Sequence, residues 1–210
     1  RRLARRLAAD EGADIEVVGL AALLHDVAKA EGEDHAQRGA ERTRALLDGA
    51  LPPERVAQIA ATVAAHNAAV PGDPIEWRVL SDADKVDANF GLVAVTRYFT
   101  IRGSRGHGLD EALAWVPEWD ERHVALLERL STEAGRRCAE ERLAVMRAFC
   151  KEATADGAAR AVARFFLGDW ERPVLDRQVQ RLREGAIPGA SQAATKPFAE
   201  RLAREIRGEV

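Results

Sequence analysis

His25 and Asp26 stand side by side in Leu23-Leu24-His25-Asp26-Val27-Ala28-Lys29, an imidazole and a carboxylate within an otherwise apolar run. An ionised carboxylate buried in such a run is costly unless it is paired or coordinates a metal. Neighbouring residues of a helix point about 100° apart, so the two side chains can approach one ion from two directions. The plain alternative is a core histidine bonded to a helix end, with Asp26 reaching out to solvent. More donors follow. His35 lies just past the end of this stretch, and His66 falls on the apolar stripe of a later helix. Ser81-Asp82-Ala83-Asp84-Lys85-Val86-Asp87 then carries three acids in six positions, which is expensive unless they are solvated or neutralised. Imidazole and carboxylate without thiolate suit Mn²⁺, Fe, Co²⁺, Ni²⁺ or Mg²⁺ and argue against a structural zinc site.

The elements that must carry these donors read as helices throughout. Apolar residues recur at three-and-four spacing, and no window alternates strictly enough for a half-buried strand. Residues 3–9 form a short amphipathic helix ended by Gly12, and Asp14 caps the next, which runs through Ile15, Val17, Val18, Leu20, Leu23, Leu24 and Val27. Being apolar almost all round, that second helix belongs in the middle of a bundle. A helix over 35–47 follows, and Pro52-Pro53 opens another that carries Val56, Ile59, Val63 and His66. Asp73-Pro74-Ile75-Glu76 is a start signal with Asp as cap, Pro at the first position and Glu at the third. The helix it begins is expected to pass Asp84 and reach about Tyr98. Gly103, Gly106 and Gly108 predict a loop, made basic by Arg102 and Arg105. Further helices fit 109–115, 119–130 and 132–155. Beyond Gly157, the residues Gly168, Pro173, Gly185, Pro188 and Gly189 break the chain into short helices. No repeat appears at solenoid periods. The expected fold is all-α, an irregular bundle with a looser helical tail.

Composition sets the outer limits. The 210 residues are 47% hydrophobic and 31% charged, as in an ordinary soluble globular protein, and suffice for a core without staples. A formal charge of −3 and a pI near 6.0 give no general electrostatic reason to bind nucleic acid or an anionic membrane. No apolar run reaches the roughly 18 residues of a membrane span, and the basic start lacks the apolar stretch of a secretory leader. Cys138 and Cys150, twelve positions apart, would lie about 18 Å apart on one helix. That is too far for a mutual disulfide, so they read as buried packing residues. Two thiols without a leader suit a reducing cytoplasm.

His25-Asp26 followed by Lys29, His35, His66 and Asp84-Lys85 resembles the HD-domain superfamily of metal-dependent phosphohydrolases. The likeness continues through Glu76-Trp77-Arg78-Val79-Leu80-Ser81-Asp82-Ala83-Asp84-Lys85-Val86-Asp87 and Arg97-Tyr98-Phe99. It ends in Thr132-Glu133-Ala134-Gly135-Arg136-Arg137, with Glu140, Glu141, Arg142, Met146 and Phe149. This combination is similar to a bacterial branch of small HD hydrolases, some of them nucleotide pyrophosphohydrolases. The resemblance covers residues 1–155 as a hydrolase domain and leaves 156–210 as a helical C-terminal extension. It implies His25, Asp26 and Asp84 as metal ligands, Asp84 being chosen over Asp82 because a basic residue follows it. Asp82 would then orient a ligand or a water. Lys29 and Lys85 occupy positions where the family has a base able to meet a phosphate oxygen; the plain alternative for each is a solvated charge. His35 and His66 match histidines that hold a second metal or stand over the leaving group, against a satisfied core histidine in the case of His66. One ion with histidine-mediated proton transfer and a two-metal clamp both remain open. The family also has an earlier histidine before an Arg-rich turn. Arg1-Arg2-Leu3-Ala4-Arg5 resembles that turn, so the histidine would fall just before Arg1: either a segment omitted from this sequence carries it, which is the expectation, or this copy lacks that ligand.

The function this implies is hydrolysis of a phosphoester or phosphoanhydride, in a nucleotide above all, by water activated on one divalent ion or two. The partner would be a small phosphorylated molecule, with no nucleic acid or membrane and with room for a homodimer contact in residues 157–210. Two rival classes follow from the same resemblance: a degenerate HD domain with a regulatory or assembly role, and a di-iron oxygenase using His35 and His66. Arg97 and Tyr98, more than three turns beyond Asp84, would line the same cleft further out, and Arg102 and Arg105 would contact substrate phosphate from the glycine loop. His107 lies in that loop and is more simply part of a solvated turn. His123 reads as a surface residue, and the Arg and Glu pairs of the tail as solvated helix faces with i,i+4 pairing.

Overall fold

Helix ends in the first part of the chain obey local chemistry. The computed structural model describes residues 1–32, 34–170 and 174–210, Glu31 by its backbone only. Helix α1 (Arg2–Glu11) turns Leu3, Ala4, Leu7 and Ala8 inward and stops at Gly12, whose left-handed φ of 68° lets its amide donate to the Ala8 and Ala9 carbonyls. Asp14 begins α2 (Ile15–Leu24) as its type predicts, its carboxylate accepting from the amides of Glu16 and Val17 at 3.0 Å. Helices α3 (His35–Leu47) and α4 (Pro53–Ala65) form an antiparallel neighbour pair, and α2 packs on both α1 and α4. Gly39 of α3 lies so close to α2 that a Cβ would sit 3.3 Å from both the His25 carbonyl and the Val63 side chain. That approach carries the start of α3 toward the end of α2.

Several expectations need correction here. The second helix ends at Leu24, and residues 25–28 form turns leading into a single 3₁₀ turn at Lys29–Glu31. Nor is it buried all round, since Leu23 is 58% exposed. At the start of α5 (Ile75–Asn89), Asp73 accepts from the Val70 amide and Glu76 from the Asp14 amide, so neither makes the anticipated capping box. α5 also stops well short of Tyr98. Phe90 and Gly91 interrupt it, Gly91 adopts φ 88°, and α6 (Leu92–Ser104) begins afresh.

Contacts divide the chain into two units: Arg1–Val86 with Leu130–Arg137 and Glu209, and Asp87–Arg129 with Cys138–Gly208 and Val210. In the first unit, the segment entering α9 (Glu133–Ala153) is fixed by three acceptors or donors: Asp82, Glu11 at the Ala134 amide, and Arg78 at the Ser131 carbonyl.

The second unit contains α6, α7 (Leu109–Ala114), α8 (Val116–Leu127), most of α9, α10 (Ala158–Gly168), α11 (Leu175–Glu184) and α12 (Gln192–Ile206). α6 packs on α10 and α12, and α11 on α12. Gly103 is helical, contrary to the loop expected, because α6 approaches α10 so closely that a Cβ would strike the Leu167 carbonyl. Glu205 is fully buried rather than on a solvated face, and accepts from the Val93 amide and from Arg201. Burial pushes its carboxyl pKa up, against the pull of Arg201 and Arg142. The buried Arg142 guanidinium donates to the Val210 and Glu205 carbonyls. Cys138 and Cys150 are both free and buried. The expected break at Pro173 lies outside the described residues. Among the described residues there are twelve α-helices and no strand, so the fold is all-α, and no helix is long and apolar enough to cross a membrane.

Candidate metal centre

Helix ends, not helix faces, present most of the nominated donors. His25 is the residue that closes α2 and His66 the one that closes α4, while His35 opens α3. Asp84 comes from within α5, and Asp26 from the turn after α2. The C-terminal ends of α2 and α4 carry the negative pole of each helix, which favours a cation nearby.

All three rings share one arrangement. Each Nδ1 faces the carbonyl three residues earlier: His25 to Ala22 at 3.1 Å, His35 to Gly32 at 3.2 Å and His66 to Val63 at 2.7 Å. Donation from Nδ1 fixes the tautomer and leaves Nε2 as the basic nitrogen, the usual way a metal-binding imidazole is oriented. His25 Nε2 lies 3.6 Å from the Asp26 carboxylate and 3.4 Å from that of Asp84. The His25 and His35 rings each meet the His66 ring edge-on, with centroids 5.2 and 5.3 Å apart. Asp26, His35 and His66 offer ligand atoms all within 4.8 Å of one another. Such separations suit donors on one cation or an adjacent pair, whose ligand bonds run about 2.0–2.2 Å.

The electrostatics follow from this crowding. The Asp84 carboxylate, helped by Asp26, holds the His25 imidazole above its ordinary pKa in spite of burial. Burial alone would raise Asp84, but His25 beside it, with His66 and Lys29, keeps it below the usual carboxylate value. His66 is only 2% exposed, and burial pushes its pKa down.

The remaining nominated residues divide. Lys29 pairs with Asp26 and is otherwise well exposed. Lys85, on α5, donates to the Ser81 hydroxyl. Asp82 does not reach the donor group; its carboxylate accepts from the amides and hydroxyls of Ser131 and Thr132. Arg97, Arg102 and Arg105 line a cavity of the second unit together with Tyr98. His107 faces Glu111 at 3.7 Å. His123 is buried, not on the surface: its Nδ1 donates to the Trp119 carbonyl, and its ring meets Phe90 and Trp119. Sequence reasoning passed over Asn67, whose amide lies 3.1 Å from His35 Nε2. Its place directly after His66 was the one available signal.

Residues 2–89 match the HD domain family. The chain is similar to two crystal structures from Bacillus subtilis. YpgQ in complex with ADP is 27% identical, with a TM-score of 0.53 over 71% of this chain and 81% of that one. The selenomethionine form of YpgQ is 26% identical, with a TM-score of 0.53 over 71% and 78%. No curated protein matches the chain. Residues 2–89, which hold every histidine and carboxylate of the candidate centre, are by this match an HD domain.

Proposed function

We propose that the protein hydrolyses a phosphoester or phosphoanhydride bond of a nucleotide at the centre formed by His25, Asp26, His35, His66 and Asp84. The observation that carries this reading is the gathering of three imidazoles and two carboxylates: each Nδ1 is tied to backbone, His25 Nε2 faces both Asp26 and Asp84, and the His25 and His35 rings both meet that of His66. The donor set fits a divalent cation, being imidazole and carboxylate without thiolate. Support for a nucleotide comes from the similar YpgQ, whose crystal structure contains ADP.

His25, Asp26 and Asp84 would hold one divalent ion, and Asp26, His35 and His66 group closely enough to hold a second. When bound, such an ion supplies Lewis acidity, polarising a phosphoryl oxygen and lowering the pKa of water so that a nucleophile exists near neutral pH. The protein's own groups do the rest. Nδ1 donation by each histidine orients its ring and leaves Nε2 as the nitrogen available to an ion. His66, with its pKa held down by burial, favours the neutral ring, whose Nε2 would either serve a second ion or, with one ion bound, act as a proton acceptor. Lys29 brings positive charge next to Asp26, and Lys85 directly follows Asp84 in the sequence; both would offset charge developing on phosphoryl oxygens. No covalent intermediate with the chain is required.

The test is a hydrolysis screen over nucleoside mono-, di- and triphosphates with Mn²⁺- or Co²⁺-loaded protein. Release of phosphate or pyrophosphate that vanishes in Asp26→Ala, with helicity retained, is the expected result. Turnover that survives both that substitution and chelation would overturn the assignment. Iron content with oxygen uptake and no phosphate release would point to the oxygenase chemistry instead.

A further inference from the structure

The second unit holds a cavity of about 430 Å³ whose wall includes five arginines, Arg97, Arg102, Arg105, Arg122 and Arg129, and no carboxylate. Arg122 donates to Glu118, and the Arg102 guanidinium lies 5.3 Å from the Tyr98 ring centre and 5.0 Å from that of Trp115. Arg97, Arg105 and Arg129 have no carboxylate partner among the described residues. Elsewhere in the same unit arginines do find acids, as Arg147 with Asp120, Arg160 with Asp110 and Arg183 with Glu200. Like charges gathered around one concavity repel each other, so the folded chain bears that repulsion unless an anion neutralises it.

The cavity is also aromatic. Tyr98 and Trp119 stack with centroids 4.4 Å apart, and His123 meets Trp119 edge-on at 4.6 Å. The Tyr98 hydroxyl donates to the Ala112 carbonyl and His123 to that of Trp119, so these rings are held in place before any ligand arrives. Guanidinium groups recognise phosphate through paired hydrogen bonds, and a fixed aromatic wall accepts a flat ring by stacking. A volume of this order is that of pockets for single small ligands. A nucleic-acid strand would need a basic track well beyond one cavity, and a chain of net charge −3 has no general excess of positive charge.

We propose that this cavity binds a nucleoside di- or triphosphate, its phosphates on Arg97, Arg105 and Arg129 and its base against the Tyr98–Trp119 wall. The proposal does not rest on the reading of the histidine–aspartate centre. It calls for no metal, and its residues belong to the other unit.

Calorimetric titration of the whole chain in chelator tests it, with ADP, adenosine and pyrophosphate as separate probes. ADP should bind more tightly than either fragment, with an affinity that falls as salt rises. Arg97→Gln combined with Arg129→Gln should weaken ADP by about tenfold or more, the scale of lost charge-assisted hydrogen bonds. Arg44→Gln, on α3, should leave it unchanged. Asp26→Ala should also retain ADP binding, so that loss of hydrolysis and loss of this site are told apart; circular dichroism checks that each variant folds. Three results would overturn the proposal: no ADP binding by the wild type, equal affinity in the double variant, or adenosine binding as well as ADP. A single-stranded oligonucleotide binding more tightly than ADP would overturn it as well.

Discussion

Asp82 accepts two hydrogen bonds from Thr132, one from its amide and one from its hydroxyl, both 2.7 Å long. The pair joins α5 to the start of α9 across 50 positions of sequence, with the carboxylate fully buried. Asp84, two positions on and so about 200° round the same helix, meets His25 instead. Two acids two residues apart therefore do different work, one holding a turn and one facing the imidazoles. Asp82→Ala should leave the amides of Ser131 and Thr132 without their acceptor and destabilise the protein by about 2–4 kcal/mol. Urea denaturation measures this. A loss below about 0.5 kcal/mol would contradict it.

Gly91 and Glu205 make a second sharp prediction. At φ 88°, a Cβ on residue 91 would be strained and would also fall on the Glu205 carboxylate. Gly91→Ala should cost about 2 kcal/mol or more. Thermal unfolding checks it, and an unchanged midpoint would show that α6 does not depend on this close approach.

Asp14 links stability to pH. Arg55, and after it the Val17 amide, hold its carboxyl below the ordinary value. A group whose pKa is lowered by folding stabilises above its unfolded pKa, and that contribution disappears as pH falls through the folded value. Asp14→Ala should cost about 1 kcal/mol near neutral pH, as loss of a helix cap does. The gap between wild type and variant should narrow below about pH 4. Denaturation curves at a series of pH values measure the gap; a gap that widens on acidification has the wrong sign.

Burial pushes the Cys150 thiol up to about 12, and Cys138 is buried too. The thiolate is the reactive form. A disulfide reagent at pH 8 should therefore modify neither cysteine in the folded protein and both after unfolding. Rapid modification of the native chain would contradict this.

What the sequence discloses and what it withholds separate along the range of the interactions. Gly12 and Asp14 bound helices through bonds to residues within a few positions, and Pro53 starts one through its fixed φ, so these helices are readable. His25, Asp26, His35, His66 and Asp84 stood out because polar groups in apolar surroundings demand partners, although which partners they find depends on how α2, α3, α4 and α5 pack. The break at Gly91 was hidden because its reason, the Glu205 carboxylate at the Val93 amide, lies 112 positions away. His123 seemed exposed among charged neighbours, yet Phe90 and Trp119 close over it from other parts of the second unit. Arg102 and Arg105 read as basic from the sequence, but Arg122 and Arg129 join their cavity only once α8 is in place.

The proposed function requires His25, Asp26 and Asp84 to hold a divalent cation in common. Its most direct test is the Mn²⁺ retained after loading and gel filtration, measured by plasma mass spectrometry on the wild type and on His25→Ala, Asp26→Ala and Asp84→Ala. The wild type should keep at least one ion per chain, and each variant should lose most of it while staying helical. Variants that retain as much Mn²⁺ as the wild type, or a wild type that retains none, would show that these side chains hold no shared ion.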